Sequence, residues 1–387
     1  MHLELTDEQQ LIVETVRRFV REEIVPLEAG LDPDADRLPP ADRERLVARV
    51  KDMGFHNLDV PAEFGGPGVD LVTRCLMAIE MSQHRAGLYA PCYGVFGGAG
   101  LAQLYDASDD QKERYLFPSL RGEKRGCFAL TEPSGGSDPG RAIQTAARQD
   151  GDEWVLNGSK LYISGADEAD FAVTFARTGE AGREGITCFI VDTETPGFDV
   201  RRVVHSLRSA HYATELQLED VRVPAANILG EVNKGFAIAN DRLSRNRIPY
   251  AAACIGVAVK AQEMAIAWSR ERETFGAPLA TRQAVQWMIV DNELDIRQAR
   301  WLTLEAAAKA DAGAKFRTEA ALAKLVATEG AARVVDRSMQ IHGGAGMTKD
   351  LPLERWYREL RIRRVGEGPS EVQRLIAARD LIGGSFT

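Results

Sequence analysis

Disulfide frameworks, metal clusters and nucleotide loops are what this chain does without. Its five cysteines (Cys75, Cys92, Cys127, Cys188, Cys254) are odd in number, far apart and never spaced C-x-x-C. That excludes a disulfide framework and a cysteine-ligated zinc site, and fits a reducing cytoplasm. The six histidines show no metal-ligand spacing and read as surface or satisfied core groups, so no metal is expected. There is no G-x-x-x-x-G-K-[ST], no H-E-x-x-H, no EF-hand loop and no G-x-S-x-G. GGAG at 97–100 lacks the third glycine and the preceding strand of a dinucleotide fingerprint. Positive charge is in deficit, with a net charge of −9, which argues against nucleic acid and anionic membranes as general partners. The N-terminus, MHLELTDEQQ, lacks the basic-then-apolar order of a signal peptide. The longest uncharged run, 86–105, is broken by Pro91 and five glycines, and reads as packed core rather than a membrane-inserted span.

What is present is an ordinary globular balance, 44% hydrophobic and 27% charged, in 387 residues. That suffices for two or three domains with a sizeable core. Three textures follow one another. In residues 1–120, Thr6 and Gln9 have capping-box spacing, and Ile12, Val16, Phe19 and Val20 recur with helical period. Helical patterns continue to about 120, interrupted by LDPDADRLPPAD and AEFGGPGVD. In residues 121–233, short β-branched and aromatic runs such as KLYISG, FAVTFA and GITCFIV are separated by turn formers, the mark of a small all-β domain. In residues 234–387, long alanine-rich helical stretches run roughly over 234–275, 281–311 and 315–343. A last helix begins near Pro369, with Val372, Leu375, Ile376 and Ala378 as its apolar face. The expected fold class is α+β, mainly α: an N-terminal helical domain, a middle β-domain and a C-terminal helical bundle. This order excludes a doubly wound sheet, which needs regular alternation.

Five stretches carry chemical interest, and each has a bland alternative. FALTEPSGGSD (128–138) sets hydroxyls and bare backbone amides at a strand end, which suits an oxygen-rich ligand; a polar turn would look similar. KLYISG (160–165) would place Tyr162 and Ser164 on one side of a strand. RETFGAPLATRQ (272–283) puts Arg272 and Phe275 in the last turn of a helix closed by Gly276 and Pro278, or is simply a C-cap. QIHGGAG (340–346) ends another helix with glycines. RVGEGPSEVQRL (364–375) sets a single carboxylate, Glu367, between two glycines directly before a helix, where solvated surface is the default.

In this order, and over essentially the whole chain, these stretches resemble the acyl-CoA dehydrogenase family of flavoproteins. The resemblance implies a middle β-barrel, a C-terminal four-helix bundle, FAD as cofactor and a homotetramer in which a neighbouring subunit completes each flavin site. It implies that Phe128, Leu130 and Thr131 contact the isoalloxazine, and that Ser137 reaches the acyl-CoA or the flavin phosphates. Tyr162 stands where many members have Trp, and Ser164 where many have a Thr donating towards flavin N5. Arg272, Phe275 and Gln283 would hold the adenine half and pyrophosphate; Gln340, Gly343 and Gly344 would approach a partner subunit's FAD. Pro369 and Glu371, also assigned to the cofactor, replace the Thr and Gln of a more usual Thr-x-Gln. Glu367 aligns with the catalytic base and Gly368 with the amide beside it. Arg247 would orient substrate or base, and Asn246 stands at a second base position, where an amide cannot accept a proton at neutral pH.

The implied reaction is α,β-dehydrogenation of an acyl thioester: a carboxylate takes the α-proton as hydride leaves the β-carbon, and donors to the thioester carbonyl stabilise the developing enolate. The side-chain-free Gly366 and Gly368 would avoid crowding the thioester. The expected partners are an acyl-CoA or carrier-protein-bound acyl group and an electron-transfer flavoprotein. Departures at Ser244, Gly366 and LRSAHYATEL (207–216) leave straight-chain, branched and aromatic acyl groups open. Tyr89 to Gly98 contributes to the acyl pocket by resemblance, or is plain core helix. Two other readings are a flavin oxidase or monooxygenase of the same superfamily and a flavin-binding subunit without turnover.

Overall fold

The computed structural model describes residues 5–98, 101–180, 182–208 and 213–383. His2, His211, the second half of GGAG and the middle of LRSAHYATEL lie outside them. The chain divides into two compact units, Met1–Phe96 with Ser244–Thr387, and Gly97–Leu243.

In the helical unit, Asp7–Phe19 opens with the expected capping box: the Thr6 hydroxyl accepts from the Gln9 amide and the Gln9 side chain from the Thr6 amide. Val16, Phe19 and Ile24 pack with Leu46 and Val50 of the helix Pro40–Asp52 and with Met77 of Leu71–Met81. A larger core joins Leu71–Met81 to the helices Gly235–Glu271, Gln283–Asp311, Arg317–His342 and Leu353–Arg363. It is built largely of alanine, so the long helices approach closely; a Cβ on Gly256 would run into the Ile79 carbonyl. Gly235–Glu271 is also long and apolar enough to cross a membrane by length and composition, with 61% of its apolar window buried within the fold.

Three expectations need correction here. Residues 89–98 are no helix: Pro91–Gly94 is a tight turn in which Cys92 and Tyr93 take left-handed backbone (φ 46° and 53°) and pack into the core. The helix Leu353–Arg363 was not anticipated, because six of its eleven residues are charged; Arg355, Glu359 and Arg363 nonetheless point inward. The last helix, Ser370–Ile382, buries Ser370, Gln373, Ile376 and Ala377 and leaves Leu375 exposed, because Ser370 and Gln373 turn inward to donate to Glu329 and to the Gly368 carbonyl.

Among the described residues the sheet unit holds eight strands: β1 Gly126–Ala129, β2 Ala146–Asp150, β3 Glu153–Ser164, β4 Phe171–Arg177, β5 Ile186–Asp192, β6 Phe198–Val204, β7 Ala213–Pro224 and β8 Ile228–Leu229. They form one sheet in the order β6-β7-β3-β2-β4-β5-β8, with β1 running parallel to β4. Trp154, Leu156, Phe189, Val191 and Val221 form one apolar cluster, and Cys127, Ala129, Ile163 and Leu216 another. The long β3–β7 pairing is broken by a bulge between Leu161 and Ile163, where Tyr162 takes left-handed backbone (φ 61°).

Candidate active site

In the sheet unit, the end of β1 and the middle of β3 are bolted together. Alternation along β1 buries Cys127 and Ala129 and leaves Phe128 partly exposed. The Phe128 ring stands edge-on to Phe175 at 5.1 Å, and the Arg242 guanidinium lies 4.0 Å from its centre. Leu130 is buried, and the Thr131 carbonyl accepts from the Leu161 amide at 2.9 Å. Next to it, the buried Lys160 ammonium donates to Glu132 at 2.8 Å and to the Phe175 carbonyl at 2.6 Å. Burial works against an ionised Glu132, but the Lys160 charge and the Gln144 and Thr145 amides hold its carboxyl below the usual range. Glu132 is therefore a bolt rather than a ligand, a role that TEPSGGSD as a turn motif did not reveal.

This junction brings two of the five stretches together. Tyr162, 62% exposed, and Ser164 flank the buried Ile163 and both face outward, though by way of a bulge rather than regular alternation. The Thr131 and Ser164 hydroxyls make no hydrogen bond among the described residues. Ser137 is exposed in left-handed backbone (φ 60°). An exposed aromatic ring beside unspent hydroxyls suits a planar group with a polar edge.

In the helical unit, the segment between Leu353–Arg363 and Ser370–Ile382 carries Glu367. Both Glu367 (φ 56°) and Gly368 (φ 95°) are left-handed, a conformation that costs a glutamate roughly 1–2 kcal/mol. Side chains from three helices hold it there. Arg247 Nε and Gln373 Nε2 each donate to the Glu367 carbonyl at 3.2 Å, and Gln373 also reaches the Gly368 carbonyl at 2.8 Å. Lys324 Nζ donates to the Gly368 carbonyl at 2.9 Å and the Arg364 carbonyl at 3.1 Å. The carboxylate itself accepts from Asn246 Nδ2 at 2.8 Å. Burial pushes the Lys324 ammonium down to about 8 and lowers the Arg247 guanidinium, whose Nη1 has no hydrogen-bond partner.

Tyr250 closes the other side. Its hydroxyl donates to the Arg363 carbonyl at 3.3 Å and would lie 2.6 Å from a Cβ on Gly366. Gly366 thus has a reason independent of any thioester: a side chain there would strike Tyr250. A Cβ on Gly368 would meet Gln373 at 2.8 Å. Lys324, Gln373, Tyr250 and Arg363 escaped the sequence reading. Only the departures around Gly366 hinted that something bulky fills the space.

Arg272 and Phe275 are not in a helical turn. The helix ends at Glu271, and Glu273–Thr274 pairs with Ala277–Pro278 in a tiny hairpin. Phe275 and Gly276 are both left-handed (φ 52° and 74°), as a two-residue hairpin turn requires. Phe275 is 99% exposed, Arg282 donates to the Thr274 carbonyl at 2.5 Å, and Gln283 begins the next helix. Gln340, Gly343 and Gly344 are exposed at the end of Arg317–His342, where His342 stacks on Trp268 at 5.3 Å. Pro369 caps the last helix and Glu371 is exposed in its first turn. All five cysteines are free and buried, and burial pushes the Cys75 and Cys127 thiols up to about 12. Among the described residues no three His, Cys, Asp or Glu side chains converge as metal ligands.

Residues 6–123 match the family model for the acyl-CoA dehydrogenase N-terminal domain, 127–221 the middle domain and 233–382 the C-terminal domain. A 3-(aryl)acrylate reductase of Clostridium sporogenes is 38% identical, covering 97% of this chain and 99% of that protein. The mitochondrial short-chain specific acyl-CoA dehydrogenase of Homo sapiens is also 38% identical, over 98% and 91%. The solved butyryl-CoA dehydrogenase of Megasphaera elsdenii superposes with a TM-score of 0.87 at 32% identity, covering 99% and 100%. Other solved chains of this fold carry FADH2 or FAD.

Proposed function

The chain belongs to the acyl-CoA dehydrogenase family, and from that premise we propose that it dehydrogenates a short acyl-CoA between the α- and β-carbons, with Glu367 as the base. It is an acyl-CoA dehydrogenase, and its cofactor is FAD. Bound FAD supplies the two-electron acceptor for hydride from the β-carbon. The residues present suit that group: within the sheet unit Tyr162 offers an exposed ring and Thr131 and Ser164 offer unspent hydroxyls, and within the helical unit the exposed Phe275 ring has the Arg282 guanidinium 5.9 Å from its centre.

The Asn246–Glu367 hydrogen bond carries the reading. Asn246 engages one carboxylate oxygen, while Arg247, Gln373 and Lys324 fix the backbone on either side. The carboxylate is therefore held ready instead of sampling solvent, and orientation of this kind is a large share of what a proton-transfer site supplies. Glu367 takes the α-proton in dehydrogenation, and the same residue returns it if the reaction runs towards reduction, the direction named for the Clostridium sporogenes relative.

Further assignments belong with this reading. An electron-transfer flavoprotein takes the electrons, the assembly is a homotetramer and the compartment is cytoplasmic. Functional boundaries fall near residues 120 and 233. The test of the base is Glu367→Gln: it should retain FAD while losing more than about 10³-fold in the rate of flavin bleaching by an acyl-CoA under anaerobic conditions. Near-normal bleaching would remove Glu367 from the role.

A further inference from the structure

Residues 84–93 are closed into a loop by one buried pair, and neither member belongs to the site around Glu367. His84 is 2% exposed, and its two ring nitrogens have different partners. Nδ1 lies 2.8 Å from a carboxylate oxygen of Glu28, while Nε2 accepts the Cys92 backbone N–H at 2.9 Å. A ring nitrogen that accepts carries no proton, so the imidazole is neutral and its Nδ1–H donates to Glu28. Glu28, the last residue of the short helix Val25–Glu28, gathers the rest of the loop. Its carboxylate also accepts from the Tyr93 hydroxyl at 2.8 Å and from the Arg85 and Ala86 amides at 3.1 Å and 3.3 Å. Burial works against an ionised Glu28, but His84, the Arg85 amide and Tyr93 hold its carboxyl below the usual range.

These bonds hold down a turn that is strained. Cys92 and Tyr93 both take left-handed backbone (φ 46° and 53°), which residues with side chains keep only where their surroundings impose it. Between its two ends the loop carries the helix Leu353–Arg363. The Arg85 carbonyl accepts from Trp356 Nε1 at 3.0 Å, the Leu88 carbonyl accepts from Arg363, and the Arg363 guanidinium lies 4.1 Å from the centre of the Tyr89 ring. That helix runs directly into the Glu367 segment. The charged and titratable groups around His84 are Glu28, Tyr93, Cys92 and Arg85, whose guanidinium turns away to the Lys349 and Asp350 carbonyls; Arg355 acts on Tyr93 from the helix. Glu28 would tolerate a second proton on the ring. The Cys92 N–H would not, because it would then face another donor.

We propose that His84 is a proton-operated latch on residues 84–93: neutral, it pins the Cys92–Tyr93 turn; protonated, it releases the turn and withdraws the loop's hold on Leu353–Arg363. Opening takes up a proton, so the latch is complete at neutral pH and loosens as pH falls. Glu28, held below the usual carboxylate range, stays ionised meanwhile and does not supply the pH dependence. The latch does not depend on Glu367 acting as the base.

Cys92 reports the state of the turn, since its buried thiol donates to the Met81 carbonyl and burial keeps it from ionising. The experiment treats the FAD-loaded enzyme with a dipyridyl disulfide at about pH 7.5 and about pH 5.5, across the range where histidine titrates. Labelling at Cys92 and Cys75 is read by peptide mass spectrometry, each rate divided by that of glutathione so that the change in thiolate fraction cancels. The relative rate at Cys92 should rise at least about tenfold on acidification, as expected for an opening linked to one proton. Cys75, on the preceding helix Leu71–Met81, should not follow. His84→Gln, whose side-chain carbonyl can accept from the Cys92 amide at either pH, should remove the rise. Where that variant does not fold, hydrogen exchange of the wild type decides: the Cys92 amide should lose protection at least about tenfold over the same interval while the Ile79 amide keeps its own. A flat relative rate at Cys92, a rise or a loss of protection shared by Cys75 or Ile79, or a rise undiminished in His84→Gln overturns the proposal.

Discussion

A glutamate in left-handed backbone persists only where its surroundings over-determine it, and Glu367 (φ 56°) has Asn246, Arg247, Lys324 and Gln373 to do so. The roles of these four are separable. Asn246 touches the carboxylate, so Asn246→Ala should cut kcat about tenfold to a hundredfold, the worth of a hydrogen bond to a charged group, with FAD content unchanged. Equal kcat in wild type and variant would show that the bond orients nothing. Lys324 donates to the Arg364 and Gly368 carbonyls, and its burial has a signature in pH. The unfolded chain titrates this lysine near 10.5 and the fold near 8. Between those values the unfolded state binds the extra proton, so stability gains with rising pH across that window, by up to about 3 kcal/mol. Below about 8 both states are charged and the full burial cost applies. Lys324→Met should abolish the rise, which denaturant unfolding of both proteins at pH 7.5 and 10 would measure; identical slopes would mean that Lys324 is not desolvated as described. The motif E-G-x-x-x-x-x-R-L made Glu367 legible, and its alignment brought in Asn246 and Arg247. Lys324, Tyr250 and Arg363 were not legible. A charged or phenolic residue in an amphipathic helix is assigned to solvent by default, and only packing shows that it has turned inward.

At the scale of elements, what could be read followed period and what could not followed exceptions to period. The helix Asp7–Phe19 and the run of strands from Gly126 onward obey their repeats and were anticipated. The hairpin at Glu273–Pro278 was taken for a helical turn because nothing local announces that Phe275 will accept left-handed backbone; a type I′ turn normally asks for Asn, Asp or Gly there. The last helix misleads in the opposite way. Val372, Leu375 and Ile376 suggest one apolar face, yet the buried stripe runs through Ser370 and Gln373, since Ser370 donates to Glu329 at 2.6 Å and Gln373 to the two loop carbonyls. Sequence logic would make Gln373→Leu a stabilising repair of that face. The structure predicts otherwise: the substitution strips one donor from each of the Glu367 and Gly368 carbonyls, which then keep only Arg247 and Lys324, a loss of about 0.5–1.5 kcal/mol per bond. We expect a lowered melting temperature together with a loss of kcat larger than that of a surface substitution on the same helix, such as Arg374→Ala. A Gln373→Leu protein with raised stability and full turnover would show that the loop holds itself.

At the scale of the whole molecule, the helix Gln283–Asp311 poses a question that one copy of the chain does not answer. Trp287, Val290, Leu294 and Trp301 are 61%, 57%, 52% and 49% exposed, and their spacing of three, four and seven residues puts them on a single stripe. Single exposed apolar residues are ordinary, but two tryptophans aligned with Val and Leu along one helix form a patch of the kind that marks an interface. The opposite side of this helix already packs in the alanine-rich core through Ile296, Ala299, Leu304 and Ala307, so the stripe is not a misplaced core face. Covering it with a second copy explains both its composition and its continuity, and agrees with the proposed homotetramer. The wild-type protein should therefore sediment as a multiple of its 42.5 kDa chain mass. Leu294→Glu combined with Trp287→Glu should shift that mass downward while helical content by circular dichroism stays constant, because the substituted side chains already face outward in the single chain. Loss of assembly with retained fold is the result that this stripe demands. A wild-type protein that sediments as a single chain at micromolar concentration would leave the stripe without a covering partner of its own kind.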